Sequence, residues 1–157
     1  MIPRFDHVLI DEYQDVNSLQ FEFIQLLKPN NLFSVGDPRQ SIYGWRGSRI
    51  DYILDFEKLF PGSSILQLST NYRSNKEIVE LCNNVIGDMK LPDLKSFKEN
   101  GEKTINFVKH KNDDIENAFV AQSILSQNCK RNEIFVLART NKQIEKLSLE
   151  LNKLKIR

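Results

Sequence analysis

Apolar runs along this chain break off at acids, glycines and prolines, and helical periodicities fill the spaces between them. Val8, Leu9 and Ile10 end a run over residues 5–10 that stops at Asp11-Glu12, as a buried parallel strand does when it delivers polar side chains to its carboxyl edge. Asn17, with Gln20 three residues on, predicts a capped helix whose period is carried by Leu19, Phe23, Ile24 and Leu27 and which ends at Pro29-Asn30-Asn31. Residues 32–35 read as a second strand ending at Gly36-Asp37-Pro38. Two polar loops are thereby expected at one sheet edge.

Ser48 with Asp51 predicts a helix to about Phe60, closed by Pro61-Gly62 ahead of a strand over residues 65–68. Ser74 with Glu77 forms a capping box before Ile78, Leu81, Cys82, Val85 and Ile86, which share one helical face. Residues 87–103 are polar and lysine-rich without a period, so they read as a loop and as the best candidate for disorder. A strand over 104–109, a helix over about 113–126 and a strand over 134–138 follow. Thr140 with Gln143 then caps a last helix, whose Ile144, Leu147, Leu151 and Leu154 form an apolar stripe suited to a core face. Alternation of this kind predicts an α/β class with parallel strands.

Composition narrows the picture modestly. The 157 residues, 40% hydrophobic and 27% charged, suffice for one domain or for pieces of two small ones. The 22 basic and 21 acidic side chains nearly cancel, so contact with nucleic acid must come from a local patch. Cys82 and Cys129 stand apart from each other and from His7 and His110, without metal-ligand spacing. A reducing, cytoplasmic setting is the simplest reading. No apolar run approaches the roughly 20 residues that span a bilayer, and no membrane association is expected.

The two loops carry the candidate chemistry. Asp11 and Glu12 at a strand end can point different ways, Asp11 toward a magnesium ion and Glu12 toward a water it polarises; an ordinary exposed acidic pair is the alternative. Gln40 can donate to a terminal phosphate and accept from water, or be a solvated turn residue. Tyr43 and Trp45, in a segment bounded by glycines and followed by Arg46, can stack on successive bases. The alternative places Trp45 in the core. Arg73 precedes the Ser74 cap, where a helix N-terminus favours an anion; it can equally be a surface arginine.

Asp11-Glu12-Tyr13-Gln14-Asp15, the run Gly36-Asp37-Pro38-Arg39-Gln40-Ser41-Ile42-Tyr43-Gly44-Trp45-Arg46-Gly47-Ser48, and Leu68-Ser69-Thr70-Asn71-Tyr72-Arg73-Ser74 resemble, in order and spacing, motifs II, III and IV of UvrD/Rep-type superfamily 1 DNA helicases. Phe135-Val136-Leu137-Ala138-Arg139-Thr140-Asn141 resembles the motif that follows in their second motor domain. The resemblance implies parts of two RecA-like, P-loop NTPase domains: residues 1–69 as the C-terminal part of the first, and 70–157 as the N-terminal part of the second. It implies ATP and Mg2+ as cofactors, with single-stranded DNA, duplex junctions and the remaining helicase domains, in the same or another chain, as partners. Asp11 would hold magnesium, Glu12 would be the catalytic base, and Gln40 would contact the terminal phosphate. Arg73 would be an arginine finger, and Tyr43, Trp45, Arg46 and Arg139 would meet DNA.

The family's activity is ATP-dependent movement along one strand, typically 3′ to 5′, with duplex unwinding, and DNA repair is among its pathways. This chain departs from the family in two respects. No glycine in it is followed by lysine, so the phosphate-cradling loop is absent from these residues, as are the later motifs. Little or no ATP hydrolysis by these residues alone is expected, along with self-association through uncovered apolar faces. A non-hydrolysing module that binds single-stranded DNA or protein, and an inactive remnant of a split helicase gene, are the competing readings.

Overall fold

Residues 5–99 and 105–155 are described by the structure, a computed structural model. The fold is α/β with parallel strand pairing, as the alternation predicts. Two units separate by packing, Met1–Thr104 and Ile105–Arg157.

In the first unit, strand β1 (His7–Ile10) leads to helix α1 (Ser18–Leu27) and returns to β2 (Asn31–Ser34), which pairs parallel with β1 in the register Val8 to Leu32 and Leu9 to Phe33. The expected cap is present: Asn17 Oδ1 accepts from Gln20 N at 3.0 Å, and Gln20 Oε1 accepts from Asn17 N at 2.9 Å. Both satisfy helix-end donors that otherwise lack partners. The apolar face differs from the expected one. Phe21 and Ile24 are buried, while Leu19 and Phe23 face outward, because Phe21 stacks on Tyr52 with ring centroids 4.2 Å apart. Tyr13, Val16, Phe21 and Ile24 form the core, against which Ile10, Leu32, Ile53, Phe56 and Phe60 pack.

The strands are half-buried rather than fully buried. Their outward residues, Leu9 and Phe33, are exposed neighbours in the register, so only the face toward α1 is covered.

The single helix expected up to Phe60 is two short pieces, α2 (Asp51–Leu54) and α3 (Phe56–Leu59), broken at Asp55. Ser48 does not cap it. Ser48 instead forms an antiparallel bridge with Asn17, and Ile50 is the residue before α2. Residues 65–68 form no strand; β3 (Thr70–Asn71) pairs parallel with β4 (Lys95–Ser96) instead. Helix α4 (Lys76–Val85) follows with Asn75, not Ser74, at its N-cap, and Val79 rather than Ile78 or Val85 is its buried residue. The stretch expected to be a disordered loop holds a turn over Gly87–Met89 and strand β4. Asn83 fixes it by donating to Leu94 O at 2.9 Å and accepting from Leu94 N at 3.1 Å. Residues 100–103 of that loop lie outside the described residues.

The second unit is a helical pair, α5 (Asp113–Ser126) and α6 (Asn141–Lys153). Asn112 caps α5 by accepting from Ile115 N at 3.0 Å, and Gln143 Oε1 accepts from Thr140 N at 3.1 Å at the start of α6. Ala121 and Leu147 are buried between the helices, and Lys146 Nζ reaches Asp113 at 2.7 Å. That ion pair holds the Asp113 carboxyl below its ordinary range and raises the Lys146 ammonium above its own. The strands expected over 105–109 and 134–138 are absent, and Thr104 lies outside the described residues. A strand needs a neighbour for its backbone donors and acceptors, and no described strand pairs with either run. Phe107, Phe135 and Leu137 are accordingly exposed.

Candidate nucleotide and DNA site at the strand edge

The carboxyl ends of β1 and β2 lie side by side because the strands are parallel neighbours. Val35 N donates to Ile10 O at 2.8 Å and Tyr13 N to Val35 O at 2.9 Å, which carries the pairing one step beyond the strands and binds the two loops together. In open parallel sheets, ligands bind outside this edge.

Glu12 stands in the left-handed region, φ 52° and ψ 44°, a conformation that costs a non-glycine residue roughly 1–2 kcal/mol. Asp11 supports it by accepting from Glu12 N through Oδ1 at 2.9 Å. Both acids are exposed and line an open cleft between β1 and α1 that Asp15, Gln20 and Phe23 also border. They therefore face an opening, as groups meant for a ligand must.

A single exposed carboxylate suits magnesium that arrives on a nucleotide, since such an ion keeps its phosphates and several waters and takes few protein ligands. Asp11 fits that role. Among the described residues no three His, Cys, Asp or Glu side chains converge as a cage for a metal without nucleotide.

Gln14, which the sequence reading did not single out, joins the two loops. It is 2% exposed. Its Nε2 donates to Glu12 Oε2 at 2.7 Å, and its Oε1 accepts from Asp37 N at 3.0 Å. The amide orientation follows from the partners, because a backbone N–H only donates and a carboxylate only accepts. Ser41 Oγ donates to Gln14 O at 3.4 Å. The signal in the sequence is a neutral amide inside an acidic box, the one side chain there whose donor and acceptor are separate atoms and can hold two partners apart.

Asp37 continues the line. Its Oδ1 accepts from Arg39 N at 3.0 Å and Arg39 Nη1 at 3.3 Å, and its Oδ2 accepts from Gln40 Nε2 at 3.1 Å. Arg39 Nη2 also donates to Pro92 O. The loop then closes back on the first, Arg49 N donating to Val16 O at 3.0 Å beside the Asn17–Ser48 bridge. Pinned at both ends, its middle protrudes.

Two short 3-10 turns, Pro38–Gln40 and Gly44–Arg46, shape that protrusion. Gly47 ends the second at φ 86°, where a side chain would be strained. Trp45 is 75% exposed, which excludes the core alternative. Arg46 holds its guanidinium carbon 4.6 Å from the Trp45 ring centre and 5.3 Å from that of Tyr43, a cation–π arrangement around two exposed rings.

Among the described residues Arg73 is not joined to these groups. Arg73 is exposed, two residues before Asn75 rather than at a helix start. Its backbone is held by Asn71 Oδ1, which accepts from Arg73 N at 3.0 Å, and by Lys98 Nζ, which donates to Arg73 O at 2.6 Å. Among the described residues no hydrogen bond or ion pair joins Arg73 to Glu12 or Gln40. Arg139 belongs to the other unit, exposed and next to the Thr140 cap of α6.

Comparison with known proteins finds two family models in succession. The UvrD/REP helicase N-terminal domain matches residues 1–61, and the UvrD-like helicase C-terminal domain matches residues 66–157. The small parallel sheets with their helices are consistent with parts of two RecA-like domains. A probable DNA helicase II homolog of Mycoplasma capricolum is 36% identical over 161 residues, covering 97% of this chain and 22% of the relative. The ATP-dependent DNA helicase PcrA of Staphylococcus aureus is 40% identical over 148 residues, 89% of this chain and 20% of its own length. A probable DNA helicase II homolog of Rickettsia conorii is 40% identical over 126 residues, 77% of this chain and 19% of its own. The chain thus spans about a fifth of the length of these curated relatives.

Proposed function

From the premise that this chain belongs to the UvrD/Rep helicase family, we propose that it forms the middle of an ATP-dependent DNA helicase, where ATP hydrolysis is coupled to 3′–5′ movement on single-stranded DNA and to duplex unwinding. The observation that carries the reading is the joining of the two loops at one strand edge, where Gln14 contacts Glu12 on one side and Asp37 on the other. A nucleotide site and a DNA-facing loop are then parts of one rigid structure.

In this reading Asp11 holds the magnesium of Mg–ATP, Glu12 orients and deprotonates the attacking water, and Gln40 touches the terminal phosphate. Tyr43 and Trp45 stack on bases, Arg46 adds charge, and Arg139 adds a further DNA contact. Arg73 acts as the arginine finger, reaching the nucleotide when the motor closes. The first motor domain ends near Ser69. Single-stranded DNA, duplex junctions and the other helicase domains are the partners, and the cytoplasm is the setting. No described helix is long and apolar enough to cross a membrane.

The 157 residues alone do not hydrolyse ATP, because no glycine in them is followed by the lysine of a phosphate loop. ATP turnover by the purified chain, with and without single-stranded DNA and beside Glu12→Gln, tests this. No turnover is expected; DNA-stimulated turnover lost in the variant would overturn it. Binding of a labelled single-stranded oligonucleotide tests the other half, and its absence would remove the DNA role from the loop over residues 42–47. A second reading, a single-stranded DNA binder without hydrolysis, draws on the exposed Tyr43, Trp45 and Arg46 cluster. It predicts binding that no added helicase segment converts into turnover.

A further inference from the structure

We propose that Gln14 is a positioning residue that sets the carboxylate of Glu12 relative to the amide of Gln40, through a hydrogen-bonded line running Glu12, Gln14, Asp37, Gln40. The catalytic meaning of the line rests on the function proposed above; its existence does not. Each link has ordinary geometry: 2.7 Å from Gln14 Nε2 to Glu12 Oε2, 3.0 Å from Asp37 N to Gln14 Oε1, and 3.1 Å from Gln40 Nε2 to Asp37 Oδ2.

Three observations point to Gln14 as the fixed member. It is buried while Glu12 and Gln40 are exposed, and a buried amide satisfied at both ends is costly to rotate. Glu12 occupies a left-handed conformation that needs outside support, and the Gln14 amide grips its carboxylate. Gly36 supplies the space: a Cβ there would stand 2.8 Å from Gln14 Oε1, closer than such atoms approach, and 3.1 Å from Tyr13 N, a tight contact. The chain keeps position 36 bare where the amide passes.

The line offers a specific chemical coupling. A shift of Gln40 toward or away from a phosphate pulls on Asp37, whose backbone N–H is tied to the same amide that holds Glu12. A candidate base and a candidate phosphate sensor therefore move together through one side chain.

The test is NMR on the 15N-labelled 157-residue chain, without nucleotide or DNA. Side-chain amide protons of Gln14 should exchange with solvent about tenfold or more slowly than those of exposed Gln25. Glu12→Ala, a change at the exposed end of the line, should shift the Gln14 side-chain signals and speed their exchange. Gln14→Met should shift the Asp37 backbone amide and the Gln40 side-chain amide together. Gln14→Glu, which keeps an acceptor for Asp37 N but loses the donor to Glu12, should restore the Asp37 signal and leave Glu12 released.

That split between the two arms is one a purely space-filling role would not produce. Gln14 exchange as fast as that of Gln25, or Gln14 signals unmoved by Glu12→Ala, overturns the proposal. Because these readouts involve no ligand, their failure is distinct from failure of the ATP and DNA assays.

Discussion

Arg46 lays its guanidinium over Trp45 at 4.6 Å from the ring centre, so the cation is delivered to the same exposed ring that would receive a base. Trp45 is the chain's one tryptophan, and its fluorescence reports the loop directly. Single-stranded DNA should quench it. Trp45→Ala should weaken binding by about 1–3 kcal/mol per lost stack and leave the unfolding midpoint unchanged, since the ring is exposed. Arg46→Ala should lower the slope of log affinity against log salt by about 0.7, the share of one phosphate on a single strand. Anisotropy of a fluorophore-labelled single-stranded oligonucleotide, which needs no tryptophan in the variant, measures both across several salt concentrations; an unchanged slope would separate Arg46 from DNA.

Gly36→Ala should destabilise the first unit by about 1–3 kcal/mol, the usual range for overpacking. The new methyl would meet Gln14 Oε1 at 2.8 Å, Ile53 Cδ1 at 2.9 Å and Tyr13 N at 3.1 Å. Two of those are held by the loop joint or the backbone and cannot simply swing away. Urea unfolding provides the measurement, with Gly44→Ala as the control, because a Cβ at 44 meets nothing within 4 Å. Equal effects at both sites would show that the crowding at 36 is not decisive.

What the sequence made legible was local. The Asn17–Gln20 cap, the Thr140–Gln143 cap, the helix over about 113–126 and the parallel β1–β2 pair depend on residues a few positions apart or on short apolar runs. The misses were tertiary. Residues 65–68, 105–109 and 134–138 have strand composition, but a ladder needs a second strand that no pattern in the run itself supplies. Phe21 displaced Phe23 from the core because Tyr52, thirty-one positions away, offers it a stacking partner. Gln14 escaped notice for the same reason: its role is defined by Asp37, which only the parallel register brings near. The exposed grouping of Tyr43, Trp45 and Arg46 was readable because the three are sequence neighbours with Gly44 and Gly47 set among them.

Tyr13 gives the fold an alkaline limit. Burial, aided by Tyr52, pushes its phenol up to about 12, against roughly 10 in an unfolded chain. The native state therefore holds the proton longer. Its contribution is complete below pH 10 and is lost as pH rises through 12, on the order of 2 kcal/mol in all. Tyr13→Phe should flatten this part of the stability profile without loss near neutrality, because the buried hydroxyl makes no hydrogen bond among the described residues. Denaturant midpoints of both proteins from pH 8 to pH 11.5 decide it; parallel profiles would exclude Tyr13 as the cause.

Exposed apolar runs give the last prediction. Leu66 and Leu68 are 89% and 92% exposed, Leu9 and Phe33 stand together on the bare face of the β1–β2 pair, and Phe135 and Leu137 are similarly bare. Surface leucines singly are unremarkable, but apolar side chains one residue apart on a run outside every described strand combine apolar area with backbone that no ladder pairs, the combination that drives edge pairing. The 157-residue chain should self-associate, with sedimentation coefficients rising across micromolar concentrations. Leu66→Ser with Leu68→Ser should reduce that rise without lowering the unfolding midpoint, because neither side chain contributes to the core of Tyr13, Val16, Phe21 and Ile24. If the doubly substituted chain associates as strongly, the β1–β2 face is the next surface to change, with Leu9→Thr and Phe33→Thr. A strictly monomeric wild-type chain over the whole range would mean that these runs are too short or too well solvated to pair.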